Sequence, residues 1–366
     1  MKILRDHFLK EFTLPLLASI GGLVLVFLLG RGLIQMADFL FNKSVDIVLI
    51  LKMLIYSLPF MLTFIVPMSV LLAALIAFGK LSHDNEIMAL RASGVSIMKT
   101  IRPLFLMIVL LCLFMLILSD KIASDTHYRY RRVLNTIGIE NPAAVLEEGT
   151  FIKKFKNFVI FIYEINKNKL EGIRIYQPQE GKPTRTIIAS KGELISIPDQ
   201  GIVKLKLIHG TSDEPDPKDP SKIYKLNFRT YDFPLNLSSI EPSKELGKKP
   251  KDMTIHELRN EINRLSAEGI RVTSPLNAEI HHKFALAFSS LAFFLIGVPL
   301  GIAVRRRQRS MHFGISLVLM TSYWVLLIGG KAIAEKGLFT PWLSLQFANL
   351  CIGALGIFLM SRLVKD

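Results

Sequence analysis

The side chains that could do chemistry in this 366-residue chain are few and widely spread. Histidines are densest at His281-His282, but no carboxylate or thiol set completes a metal site there, since a structural zinc takes about four such donors. The thiols Cys112 and Cys351 lie inside apolar runs, and a thiol with no base or cation beside it stays protonated and inert. Gly79-Lys80, Gly181-Lys182 and Gly330-Lys331 lack the spaced glycine and the following Ser/Thr of a phosphate-wrapping loop. No Gly-x-Ser-x-Gly nucleophile turn is present. The chain is therefore expected not to be an enzyme and to hold no cofactor or metal of its own.

Charge in unusual places is the stronger signal. Lys80 to Ser96 reads as a short helix over about 82–94, with Asp84 and Glu86 near its start and Arg91 near its end, as the helix dipole favours. Gly94 is the expected C-cap. Ile87, Met88, Leu90 and Ala92 make one side apolar, which suits a membrane surface or a groove on a partner; a plain connector is the other reading. Arg31 and Lys52 fall inside apolar runs, where a cation is costly unless it snorkels or meets a cavity or an anionic ligand. Both explanations stay open. The run Tyr128-Arg129-Tyr130-Arg131-Arg132 gathers cations that suit either an anionic lipid or a solvated helical face.

The elements that hold these residues follow from hydropathy. The chain is 51% hydrophobic and carries a net charge of +15. Apolar runs of spanning length occur at about 12–35, 50–79, 100–120, 283–304, 311–334 and 341–362, each long enough to cross roughly 30 Å of hydrocarbon. Residues 121–282 between them are too polar to span. Lys2, Arg5, Lys10, Lys80, Arg91, Lys99, Arg305, Arg306, Arg307, Arg309, Arg362 and Lys365 all fall on one side, which places both termini in the cytoplasm and the polar segment outside. The positive charge is thus explained as a topology signal, and no nucleic-acid partner is expected. The first apolar run is too long for a cleaved leader and should remain as a span.

Within 121–282, Asn157–Tyr163, Gly172–Tyr176, Thr186–Ala189, Ile202–Ile208 and Ile223–Phe228 are β-branched and bounded by turn residues. They predict an antiparallel sandwich or jelly roll. Thr254 with Glu257 forms a capping box ahead of a helical stripe at 255, 258, 262 and 265, and Gly269 should end that helix. The Gly297-Val298-Pro299-Leu300-Gly301 segment predicts close packing or a kink. The fold class is an α-helical membrane protein with six transmembrane helices, three plus three, around an inserted extracytoplasmic β jelly-roll-like domain. The division is 1–120, 121–282 with an amphipathic helix at about 254–267, and 283–366.

Several of these stretches together resemble the lipopolysaccharide export permease family of ABC transporters. They are Asn85-Glu86-Ile87, Arg91-Ala92-Ser93-Gly94-Val95-Ser96, Met253-Thr254-Ile255-His256-Glu257-Leu258, Ala278-Glu279-Ile280-His281-His282-Lys283 and Val298-Pro299-Leu300. The resemblance covers nearly the whole chain. It implies a subunit that extracts lipopolysaccharide from the outer leaflet of the inner membrane and passes it to a periplasmic bridge protein. Its implied partners are a second, similar permease and a dimeric ATPase that holds the ATP and magnesium. By the same resemblance Glu86 is the carboxylate that contacts the ATPase, Arg31 pairs with lipid A phosphates, and Lys283 and Glu279 match a basic and an acidic family position. The alternative, from the residues alone, is a membrane-anchored periplasmic lipid-binding or scaffold protein without a transport cycle.

Overall fold

A computed structural model describes residues 2–32, 39, 45–140, 149, 151–152, 158–166, 169–179, 182–197, 202–216, 223–235, 247–269, 273–303 and 309–365. Arg305, Arg306, Arg307 and Gln308 lie outside the described residues. The helices are α1 (Lys2–Phe27), α2 (Ile47–His83), α3 (Glu86–Ala92), α4 (Ile97–Ile117), α5 (Ala123–Glu140), α6 (Ile255–Ala267), α7 (Ser274–Ala303), α8 (Arg309–Glu335) and α9 (Pro341–Lys365). A π-helical turn, Leu28–Gly32, extends α1, and a second, Leu118–Ile122, joins α4 to α5.

Among the described residues six helices are long and apolar enough to cross a bilayer: Ile3–Gly30, Ile47–His83, Met98–Ile137, Ser274–Ala303, Gly314–Glu335 and Pro341–Leu363. The third is longer than hydropathy alone predicts. Its apolar part ends near Asp120, but the π turn keeps the backbone hydrogen-bonded, so the polar α5 follows without a break in helical structure.

The chain divides into two compact units. The first comprises residues 1–30, 56–128 and 248–366 and is built on helix packing. Phe8, Phe12, Phe78, Leu104, Ile108 and Phe294 are among the buried side chains that join α1, α2, α4 and α7 in one core. A Cβ on Gly297 would lie 2.7 Å from the Ala74 Cβ, and one on Gly301 would lie 2.9 Å from the Phe78 Cβ. Those two glycines therefore let α7 approach α2, which decides the Gly297–Gly301 segment in favour of close packing.

The second unit comprises residues 31–55 and 129–247. Near the start of α2, Ile50 and Met53 pack with Val133, Leu134 and Ile137 of α5. Six strands, β1 (Phe151–Ile152), β2 (Val159–Asn166), β3 (Lys169–Gln179), β4 (Lys182–Ile197), β5 (Ile202–Pro215) and β6 (Ile223–Leu235), form one antiparallel sheet in sequential order. The antiparallel expectation is met. A jelly roll needs Greek-key crossings, whereas every neighbour here is the next strand in the chain.

This single sheet builds its own core through a crease. The paired registers skip Tyr163, Gly172, Ser190, His209 and Arg229, one residue in each of five successive strands and lying opposite one another. Across that line the buried positions change parity: Ile173 and Ile175 but Leu170 in β3, and Ile187 and Ala189 but Leu194 in β4. Strict period-two alternation would leave one half facing out, so a parity change means that the strands bend. Gly172 (φ +65°) and His209 (φ +51°) supply the left-handed backbone on that line. One meander thus mimics the two leaves of a sandwich.

Candidate functional site

The loop between α2 and α4 is built by backbone chemistry. Asn85 adopts the left-handed conformation (φ 59°) and breaks α2 from α3, and asparagine tolerates that region better than most residues. Gly94 (φ +71°) ends α3: its N–H donates to the Arg91 carbonyl and the Val95 N–H to the Leu90 carbonyl, the paired bonds of a Schellman stop. The helix covers residues 86–92 rather than 82–94. Lys80 and Ser82 belong to α2 and Asp84 to the turn.

Burial also differs from the predicted apolar side. Ile87 and Leu90, three residues apart, enter the core with Phe8, Leu81 and Ile101. Met88 (53% exposed) and Ala92 face outward, so the outer surface of α3 carries Met88, Ala89 and Arg91, with Glu86 half-buried at its head.

Four polar contacts tie this loop and the end of α2 to other helices. The His7 Nε2 of α1 lies 2.9 Å from Glu86 Oε2. Lys80 Nζ donates to both Glu11 oxygens at 2.8 Å. Arg91 Nη2 donates to the Leu363 carbonyl at 2.6 Å, and Ser82 Oγ to the Ile302 carbonyl at 2.9 Å. The start of α1, the end of α2, all of α3 and the ends of α7 and α9 therefore share one end of this unit. Asp84, Glu86, Arg91 and Gly94 are brought together there.

A second polar cluster in the same unit fastens the chain where it returns from the sheet. Lys283, 4% exposed, donates to Ser124 Oγ (2.8 Å), the Met253 carbonyl (2.5 Å) and Asp120 Oδ1 (3.3 Å). Asp120 also accepts the Ile255 N–H at 2.6 Å and so anchors the first turn of α6. Asp252, 1% exposed, faces His127 Nδ1 at 2.5 Å and accepts the Lys249 N–H at 2.9 Å. Nearby, the buried Glu279 accepts from Lys331 Nζ at 2.7 Å, with His282 Nδ1 3.8 Å away. Buried charges require such partners.

The cations expected to meet a ligand are distributed as follows. Lys283 is taken up by protein acceptors. Lys52, Arg129 and Arg132 are exposed and Arg131 is half-buried, all in the second unit on α2 and α5. Arg31 lies in the π turn after α1; its side chain lies outside the described part of the structure.

Reading from the sequence missed His7, Asp120 and Lys331. Asp120 and Lys331 carried a usable signal, because an ionisable residue at the edge of an apolar run needs a partner. His7 carried none: it is one polar residue in a helix start with several.

The capping box of α6 is as expected: Thr254 Oγ1 accepts the Glu257 N–H at 3.3 Å and Glu257 Oε2 accepts the Thr254 N–H at 2.8 Å. Burial raises the Glu257 pKa, but hydrogen bonds from Lys248 and the Thr254 backbone outweigh it and leave the carboxyl below its ordinary value. A lowered folded pKa contributes stability that is full above the unfolded value and is lost as pH falls through the folded one. Protection of the first-turn amides of α6, taken relative to their intrinsic exchange rate at each pH, is therefore expected to be full at neutral pH and to fall only below the ordinary carboxylate range. Equal protection at all acid pH values would show that Glu257 does not hold this helix end.

The sequence, fold and site define a multi-pass helical membrane protein whose polar helix is braced at one end of the bundle. The chain belongs to the family described as lipopolysaccharide export system permease LptF/LptG, whose family model matches residues 6–362. It is similar to the lipopolysaccharide export system permease protein LptF of Escherichia coli (strain K12), with 23% identity over 361 residues covering 98% of this chain and 94% of that protein. The Shigella flexneri protein of the same name matches with the same figures. An uncharacterised protein of Rickettsia prowazekii (strain Madrid E) is 24% identical over 195 residues, 53% of this chain and 54% of that protein. The chain thus spans about half the length of the rickettsial relative. Family membership and the six apolar helices support a multi-pass inner-membrane protein of a permease family.

Proposed function

We propose that the chain pairs with a second, similar permease and is driven by a separate ATPase dimer, which binds ATP and magnesium, to lift lipopolysaccharide out of the outer leaflet of the inner membrane. The observation that carries this reading is α3, a seven-residue helix with Glu86 at its head and a tie to another helix at each end. A carboxylate so placed suits a guanidinium on an ATPase surface. The two ties suit the transfer of a push from α3 into α1 and α9 as a rigid-body movement.

Orientation follows from the basic residues, which put the α3 end and both termini in the cytoplasm and the creased sheet in the periplasm, facing a bridge protein. Arg31, Lys52, Arg129, Arg131 and Arg132 supply cations for the lipid A phosphates, for which a guanidinium offers a bidentate fork. Lys283 is left out of that set, since its three donors already have acceptors.

The test is purification of the tagged chain from its native membrane in mild detergent, with crosslinking to hold weak complexes. Recovery of an ATPase, a second permease and bound lipopolysaccharide is expected. A lone chain under the same conditions would remove the reading in favour of an anchored scaffold.

A further inference from the structure

Glu86 is the only carboxylate on α3, and its side chain keeps 37% of its surface in solvent. One oxygen, Oε2, meets His7 Nε2 at 2.9 Å. Among the described residues, Oε1 has no hydrogen bond or ion pair. A carboxylate only accepts, so Nε2 carries the hydrogen in this contact. Glu86 is thus held by one edge and open at the other.

The backbone that carries His7 is held in the core, while its side chain stays 42% exposed. His7 sits one residue before Phe8, which is 1% exposed and inserted beside Phe78, with ring centroids 6.3 Å apart. One turn further along α1, Glu11 grips Lys80 at the end of α2. The imidazole therefore presents to Glu86 from a helix anchored by the residues that follow it, Phe8 and Glu11. A free glutamate loses rotamer freedom when a partner captures it, and a glutamate already oriented loses less.

We infer that His7 is a positioning residue for the docking of the ATPase: through its Nε2–H it holds the Glu86 carboxylate so that the second oxygen is aimed outward at a cationic side chain of that partner. This rests on the reading of α3 as the ATPase contact. The start of α1 is accordingly part of the docking platform, and a push on α3 reaches α1 directly through this pair.

The test is a double-mutant cycle on the intact permease complex, titrated with the ATPase that co-purifies with it. His7→Ala is expected to weaken ATPase binding by about fivefold to tenfold. His7→Gln, which keeps a donor near the Nε2 position, is expected to recover most of that. In a Glu86→Ala background, His7→Ala should have no further effect, because it has no carboxylate left to orient. Unchanged binding in His7→Ala while Glu86→Ala still weakens it would overturn the inference alone. Losses that simply add across the two sites would overturn it too, by making His7 a structural residue of α1. Unchanged binding in Glu86→Ala would instead remove the ATPase reading of α3.

Discussion

Replacing Glu86 with alanine is expected to weaken binding of the ATPase by about tenfold to a hundredfold, while the permease itself stays folded. A hydrogen bond to a charged group contributes roughly 1.5–3 kcal/mol, and each 1.4 kcal/mol is a factor of ten. The fold does not depend on this side chain. Glu86 is half-exposed, and α3 is set in place by the buried Ile87 and Leu90 and by the Gly94 stop. Glu86→Gln should fall between, since it keeps an acceptor but loses the charge. Titrating detergent-purified permease with ATPase measures the effect, and the thermal midpoint of the permease alone shows whether folding has changed. Wild-type affinity in Glu86→Ala would remove Glu86 from the contact.

Lys283→Met is expected to be among the most damaging substitutions in the first unit, at about 3–5 kcal/mol, the range for breaking one half of a buried ion pair. Removal of the ammonium leaves Asp120 charged in a largely enclosed position and takes a donor from Ser124 and the Met253 carbonyl. Asp120 also holds the Ile255 N–H, so its distress reaches the start of α6. The partner change Asp120→Asn in the same chain should recover a good part of the loss, because the amide oxygen still accepts from Ile255 while the unpaired charge is gone. Unfolding in detergent measures both. If Lys283→Met is as stable as the wild type, the cluster is not what fastens residues 252–255 to the helices.

These expectations divide cleanly between what could be read in the chain and what could not. The apolar runs predict the spans, because a bilayer imposes one length on every crossing helix. The capping box at Thr254 and Glu257 and the stops at Gly94 and Gly269 were also legible, since caps are local and use few residue types. Glu86 was legible as an acid near a helix start. Its partner was not, because His7 lies 79 residues away on another helix.

The sheet shows where local reading stops. Its strands were recognisable by composition, yet a crease needs five residues in five strands to line up, and only pairing decides that register. The same holds for Lys283: by composition it is a cation at the head of an apolar helix, available to any anion. In the fold it is enclosed by Asp120, Ser124 and Met253.

The sequence by itself therefore determined the membrane character, the strand-rich middle, the helix ends and the presence of an acid on α3, all of which follow from composition and spacing over a few turns. Tertiary structure alone decided that Lys283 is bound internally, how α3 is braced, and how one meander bends along its crease. The physical reason is that burial and pairing depend on groups far apart in the chain, and a charge has no fixed role until its neighbours and its access to water are set.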